Sequence, residues 1–206
     1  MFLQQESHET THFSVADRFG NIVSSTYTLN STFGSGVVIE GTGILMNNEM
    51  DDFSSAPGIP NQFGLLGSEA NEIAPYKRPL SSMTPTIVMK DNKLYMILGT
   101  PGGSTIITSV LQTILNVYEF GMDIQSAINA PRFHHQWLPD VVIFEEGLLD
   151  DQKDSILSSK NYFNIRLPIE VDTGGMSARS SIGAVDAIFI DDNGKVSTGA
   201  DYRGDD

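Results

Sequence analysis

Four short stretches of this sequence hold side chains suited to chemistry. Thr10 and Thr11 stand where a polar, patternless tail gives way to an alternating segment. Asn47-Asn48-Glu49-Met50-Asp51-Asp52 crowds polar groups behind an apolar run, and Ser81-Ser82 follows Lys77-Arg78-Pro79. Gly102-Gly103-Ser104 separates a strand-like run from a helix-like one. The glycine pair has the plainest physics. Two backbone amides at a helix start can converge on an anion, helped by the helix dipole and by unpaired N–H groups. Such amides form oxyanion holes in acyl transfer. A tight strand-to-helix turn explains the same residues equally well. With no lysine behind it and no repeated glycine spacing, the motif is not a phosphate-binding loop. The acidic cluster suits an ammonium group such as an α-amino group, or is a solvated turn. The serine pair can hold a carboxylate through hydroxyls and amides, or is ordinary loop. His134-His135 would face opposite ways on a strand, and no further histidine–carboxylate spacing supports a metal. Their expected role is structural, and Trp137 is expected to pack rather than to stack on a ligand.

The elements that must position these groups follow from periodicity. Alternation predicts a strand from His12 to Asp17, a turn at Arg18-Phe19-Gly20-Asn21 and a strand from Ile22 to Leu29, rich in residues that suit a pleated, half-buried surface. Residues 31–43 are glycine-rich. Residues 46–82 show little periodicity, and so long a loop in a compact domain is usually functional. A second hairpin is predicted over Thr86–Met89 and Leu94–Leu98, turning at Lys90-Asp91-Asn92-Lys93. Ile106, Ile107, Val110, Leu111, Ile114, Leu115 and Val117 recur at helical spacing. Shorter helices are expected over 123–130, ended by Pro131, and over about 150–160. The chain closes with strands at Ala184–Ile190 and Lys195–Gly199. The expected fold is α+β with mainly antiparallel pairing.

Composition narrows the partners. The 206 residues are 40% hydrophobic and 18% charged, which suits one domain with a sizeable core. A formal charge of −14, from 26 acids against 12 bases, argues against nucleic acid and anionic lipid as partners. The absence of cysteine excludes disulfides, thiolate metal sites and a cysteine nucleophile. No run approaches the roughly 18 apolar residues of a membrane span, and residues 1–6 do not read as a signal peptide.

Taken in order, several motifs resemble gamma-glutamyltransferase: Thr10-Thr11-His12-Phe13-Ser14-Val15, Thr26 to Gly34, Met46 to Phe53, Lys77 to Thr86, Pro101-Gly102-Gly103-Ser104, and Asn129-Ala130-Pro131-Arg132-Phe133-His134-His135-Gln136-Trp137-Leu138-Pro139. The resemblance implies part of an αββα N-terminal nucleophile hydrolase sandwich, incomplete without a large subunit from the same precursor. Residues 1–9 would be the remnant of that subunit's tail, and 10–206 the catalytic small-subunit domain. Autocleavage at Glu9–Thr10 would make Thr10 the nucleophile. The resemblance further implies that Thr28 orients Thr10 and that the Gly102 and Gly103 amides hold the oxyanion. Asn30, Glu49 and Asp52 would bind the donor's α-amino group, and Ser81 and Ser82 its α-carboxylate. Donors would be glutathione and related γ-glutamyl amides; acceptors would be water or an amino acid or peptide. No cofactor or metal is called for, and the compartment would be periplasmic or extracellular.

Two departures qualify this reading. Many relatives carry a tyrosine where this chain has Phe63, which cannot donate a hydroxyl bond across the pocket mouth, so a looser lid over 53–66 is expected. The chain also begins nine residues before Thr10, which implies that it is inactive alone and exposes an unpaired sheet edge. The rival readings are an inactive fragment and a related amidohydrolase, either a poly-gamma-glutamate depolymerase or a cephalosporin acylase.

Overall fold

The computed structural model describes residues 10–56, 58–137, 140, 142–145, 147–148, 151, 154–155, 165–166 and 182–204. The tail at 1–9, most of the helix expected over about 150–160, and Leu138-Pro139 lie outside the described residues.

The first hairpin pairs β1 (Thr10–Ala16) with β2 (Ile22–Thr28). Its turn is held by Asp17, whose carboxylate accepts from the amides of Phe19 and Asn21 and from the Asn21 side chain. β1 thus includes Thr10 itself, two residues ahead of the strand predicted from His12. A four-stranded antiparallel sheet follows in the order β3-β4-β8-β9, from β3 (Thr86–Lys90), β4 (Lys93–Gly99), β8 (Asp186–Ile190) and β9 (Val196–Ala200). The β3–β4 turn uses Asp91 and Asn92 at φ 50° and 59°, the left-handed pair that a two-residue hairpin requires.

Two helices, α1 (Ile106–Tyr118) and α2 (Ile124–Asn129), pack on one face of this sheet. The Asp123 carboxylate caps α2 by accepting from the Ser126 amide at 3.0 Å. The β1–β2 hairpin packs on the opposite face, against β4 and β8. The layers therefore run helix, sheet, sheet. Met96 and Leu98 join Val110, Val117, Ile124, Ile128 and Val185 in the core between sheet and helices. Gly99, of opposite parity on β4, meets β1 instead. A small sheet of β5 (Phe133–His134), β6 (Val142–Phe144) and β7 (Ile165–Arg166) contains a parallel β6–β7 pairing. Its strands are too short to leave a periodic signal. No described helix is long and apolar enough to cross a membrane.

Trp137 corrects an expectation. It is 73% exposed, and its backbone takes the left-handed φ of 73°. His134 and His135 do diverge. His134 is buried and bonds to the Thr108 hydroxyl and the Gln136 side chain. His135 pairs with Asp140 at 3.0 Å.

Candidate active site

Hairpin register builds the first part of the site. Thr10 lies opposite Thr28, and both side chains turn to the same face of the ribbon. The Thr10 hydroxyl donates to Thr28 Oγ1 at 3.0 Å. Thr28 Oγ1 also accepts from the Asn30 amide at 2.9 Å. The chain leaves β2 through Asn30 at φ 75°, a left-handed conformation that asparagine tolerates. The Asn30 side chain is buried and donates to the Asn48 carbonyl.

Asn48 clasps the acidic segment to the end of β2. Its amide donates to the Leu29 carbonyl, its Oδ1 accepts from Ser31 N, and its Nδ2 donates to Ser31 Oγ. The chain then enters a 3-10 turn over Glu49–Asp52. Residues three apart eclipse in such a turn, so Glu49 and Asp52 share a face and a hydrogen bond. Burial pushes the Glu49 carboxyl up to about 7, with further contributions from the Asp52 hydrogen bond and charge. Burial also raises Asp52, assisted by the charge of Asp51 and opposed by the Glu49 hydrogen bond. The pair therefore holds one proton at mildly acidic pH.

The long irregular segment is ordered by side-chain-to-backbone bonds. Asp51 accepts from Gln62 N at 3.0 Å, and Asn61 Oδ1 accepts from Phe63 N and Leu65 N. Buried Asn71 donates to the Asp52 carbonyl at 2.7 Å and accepts from Leu80 N at 3.0 Å. It thereby staples the acidic turn to the strand-like stretch carrying Ser81 and Ser82. The Ser81 hydroxyl accepts from Met83 N.

The glycine turn closes the site. After β4, Gly102 adopts φ 129°, and Gly103 opens a 3-10 turn (Gly103–Thr105) that runs into α1. The Gly102 carbonyl accepts from Thr105 N and Oγ1 at 3.0 and 2.8 Å. In a trans peptide the carbonyl and the next N–H point opposite ways, so the Gly103 N–H faces away from that turn. A methyl on Gly102 would lie 2.8 Å from Thr105 Oγ1 and 3.0 Å from Gly183 Cα. Gly183 is in turn held by a buried ionic network. Arg132 donates to the Ile182 and Gly183 carbonyls and to Asp201, while Arg203 bridges Glu145 and Asp201.

Thr10, Thr28, Asn30, Glu49, Asp52, Ser81, Ser82 and Gly103 line one small cleft. Gly102, also expected in the site, is not among the lining residues. The Phe63 ring roofs Gly103, 3.5 Å from where a side chain there would begin. Met83 and Ile106 complete the apolar wall. A larger groove of about 350 Å³ shares Asp52, Ser81 and Ser82 with the cleft and has walls of Leu65, Leu66, Leu80 and Ile107. Sequence reasoning gave no positioning role to Asn48, Asn71 or the Arg132–Asp201–Arg203–Glu145 network, although Asn48 holds Asn30 and Asn71 holds Asp52. The one signal was compositional: asparagines crowded into an aperiodic stretch.

Comparison with known proteins adds to this geometry. The gamma-glutamyltranspeptidase family model matches residues 1–206. A glutathione hydrolase proenzyme from Escherichia coli is 46% identical over 198 residues, covering 96% of this chain and 32% of that protein. The chain thus spans about a third of the length of that relative. The structure of Helicobacter pylori gamma-glutamyltranspeptidase superposes with a TM-score of 0.81 at 47% identity, covering 94% of this chain and 100% of that chain. Cephalosporin acylase from Bacillus halodurans superposes at 0.73 with 26% identity, covering 94% of this chain and 32% of that one. On the family match and these identities, the chain belongs to the gamma-glutamyltranspeptidase family.

Proposed function

We propose that this chain is the catalytic portion of an enzyme that transfers or hydrolyses γ-glutamyl groups through a threonyl ester. The observation that carries this reading is the Thr10–Thr28 hydroxyl pair at 3.0 Å in one cleft with paired acids, paired serines and a glycine turn. Cleavage at Glu9–Thr10 frees an α-amino group of pKa about 7.7–8.0. That amine takes the Thr10 hydroxyl proton as Oγ1 attacks the γ-glutamyl carbonyl carbon. The Gly103 and Gly102 amides stabilise the oxyanion. The amine returns its proton to the departing nitrogen, leaving a γ-glutamyl ester on Thr10. Water or an acceptor amine then attacks the ester by the same proton path, releasing glutamate or a new γ-glutamyl amide and restoring Thr10.

Glu49, Asp52 and Asn30 suit the donor's ammonium group, and Ser81 and Ser82 suit its carboxylate. Among the described residues that line the cleft there is no cation, so the donor carboxylate calls for one from elsewhere. A large subunit of the same precursor is the fitting source, and residues 1–9 are its remnant. Glutathione is the expected donor, and the expected compartment is the periplasm or the cell exterior. The two-acid, two-serine cleft favours a free γ-glutamyl head group over an acylase side chain; inhibition by free glutamate tests that choice.

The decisive experiment measures intact mass of the chain with and without the upstream portion of its precursor, then mass after incubation with a γ-glutamyl anilide. Loss of residues 1–9 and a γ-glutamyl adduct on Thr10 are expected only with the upstream portion. A full-length mass under both conditions would reduce the chain to an inactive fragment on this fold.

A further inference from the structure

The inner face of the β1–β2 ribbon, where it packs on the four-stranded sheet, is polar. Its inward positions are Thr10, His12 and Ser14 on β1, opposite Thr28, Thr26 and Ser24 on β2, with the apolar pair Ala16–Ile22 only at the turn end. Ser24 Oγ donates across the layer to the Leu98 carbonyl at 3.1 Å. A sheet-to-sheet interface is ordinarily apolar, so this column needs a reason beyond packing.

His12 stands at its centre, with 5% of its surface exposed. One ring nitrogen, Nδ1, meets Thr26 Oγ1 at 2.8 Å, and Nε2 meets Ser14 Oγ at 3.1 Å. The ring rests on Gly99, where a methyl group would clash with the imidazole. Only glycine leaves that seat open. Burial pushes the imidazole down to about 4, so it is neutral at working pH and adds no charge beside Thr10.

Three strands meet at this ring. β1 carries Thr10 two residues before His12. β2 carries Thr28 two residues after Thr26. β4 ends at Gly99 and reaches the glycine turn three residues later. Resting on the Thr10 reading above, we infer that His12 is a positioning residue whose ring sets the spacing between the Thr10–Thr28 pair and the Gly102–Gly103 turn. A misplacement of about 1 Å between reacting groups costs on the order of 10²-fold in rate, so an imidazole at this junction controls the chemical step more than donor binding, to which the ribbon connects through Asn30. Glu49, Asp52, Ser81 and Ser82 lie on a different segment, ordered by Asn48 and Asn71.

The test uses the two parts of the precursor co-expressed as separate chains. The second starts at Thr10 behind an initiator methionine that aminopeptidase removes, so cleavage is not required. Acylation by a γ-glutamyl anilide is measured per active site, with sites counted by a covalent γ-glutamyl label, alongside donor Kd and Tm. For His12→Ala, acylation per site is expected to fall about 10²-fold with donor Kd changed less than about threefold. His12→Gln, which keeps hydrogen-bonding capacity, should recover part of the rate. In the double variant His12→Ala/Gly99→Ala the new methyl group refills the vacated seat. Its Tm should recover while its acylation stays slow.

Ser14→Ala and Thr26→Val retain the ring and remove one of its hydrogen-bond partners each. They serve where the larger changes do not fold, and at least one should slow acylation several-fold. Unchanged acylation per site in His12→Ala, or rate recovery together with Tm in the double variant, would overturn the inference and leave His12 a packing residue. Failure of the unmodified pair to acylate Thr10 would instead refute the nucleophile reading itself.

Discussion

The paired acids predict how donor affinity depends on pH. Glu49 is held near 7, first by burial and then by the hydrogen bond and charge of Asp52, and in the proposed donor site an ammonium group would favour the fully ionised pair. Bound ammonium, an opposite charge in contact, lowers the Glu49 pKa. Donor binding below pH 7 must therefore expel a proton. Linkage makes donor Kd fall about tenfold per pH unit from pH 5 to 7, about 100-fold in all, and level off above. Because KM reports Kd only when chemistry is slow, the cleaner assay is calorimetry of a non-cleavable γ-glutamyl analogue in buffers of different ionisation enthalpy. Near one proton released per analogue at pH 5.5 and none at pH 8.5 is expected. Glu49→Gln should abolish both the release and the slope while weakening binding at pH 8. The same shift has a stability sign. The folded Glu49 pKa lies above its ordinary 4.5, so this site favours the folded state with its proton on. The cost of ionising it in the fold appears as pH rises from about 4.5 and is complete above about 7. Glu49→Gln should therefore raise Tm at pH 8 and leave it unchanged at pH 4. A flat Kd between pH 5 and 7, or a slope that survives Glu49→Gln, would refute the shared-proton argument.

Asn71→Ala removes two hydrogen bonds to the half-buried Asp52 carbonyl and Leu80 amide, each worth about 0.5–1.5 kcal/mol. Donor Kd should rise and Tm fall, with acylation per site nearly intact in a titrated single-turnover assay. Gly102→Ala forces a methyl group into φ 129° against Thr105 and Gly183. Acylation is expected to fall on the order of 10²-fold, the scale of losing one oxyanion donor, as stopped-flow release of the anilide would read. Phe63 roofs Gly103 without a hydroxyl, so hydrogen exchange over 53–66 should slow when a glutamate analogue binds; equal protection with and without it would argue against a lid. The outer face of β1–β2 exposes Phe13, Val15, Val23 and Tyr27, and the ribbon's edges are unpaired among the described strands. Light scattering of the chain alone should show self-association that the upstream portion suppresses.

The legible parts of this molecule are those whose geometry is local. Alternation and turn chemistry expose both hairpins, and the register that sets Ala16 opposite Ile22 carries Thr10 opposite Thr28. The three-residue spacing of Glu49 and Asp52 becomes meaningful once their segment is known to be a 3-10 turn, a short element that leaves no period. Residues 46–82 resist reading for a related reason. Their order comes from asparagine and aspartate side chains that bond to backbone groups up to 19 residues away, and such bonds obey no repeat. The ionic network is harder still. Arg132 looks like one more surface cation until Glu145, Asp201 and Arg203, far along the chain, converge on it. His12 shows the limit most sharply. Its inward direction follows from strand parity with Thr10, yet what its ring does depends on the missing side chain of Gly99, 87 residues later in the sequence. Reactive residue types can be found one segment at a time, but the distances that make them a site are set where distant segments touch. Mutations at those contacts, and not only at Thr10, therefore carry the discriminating power in the experiments above.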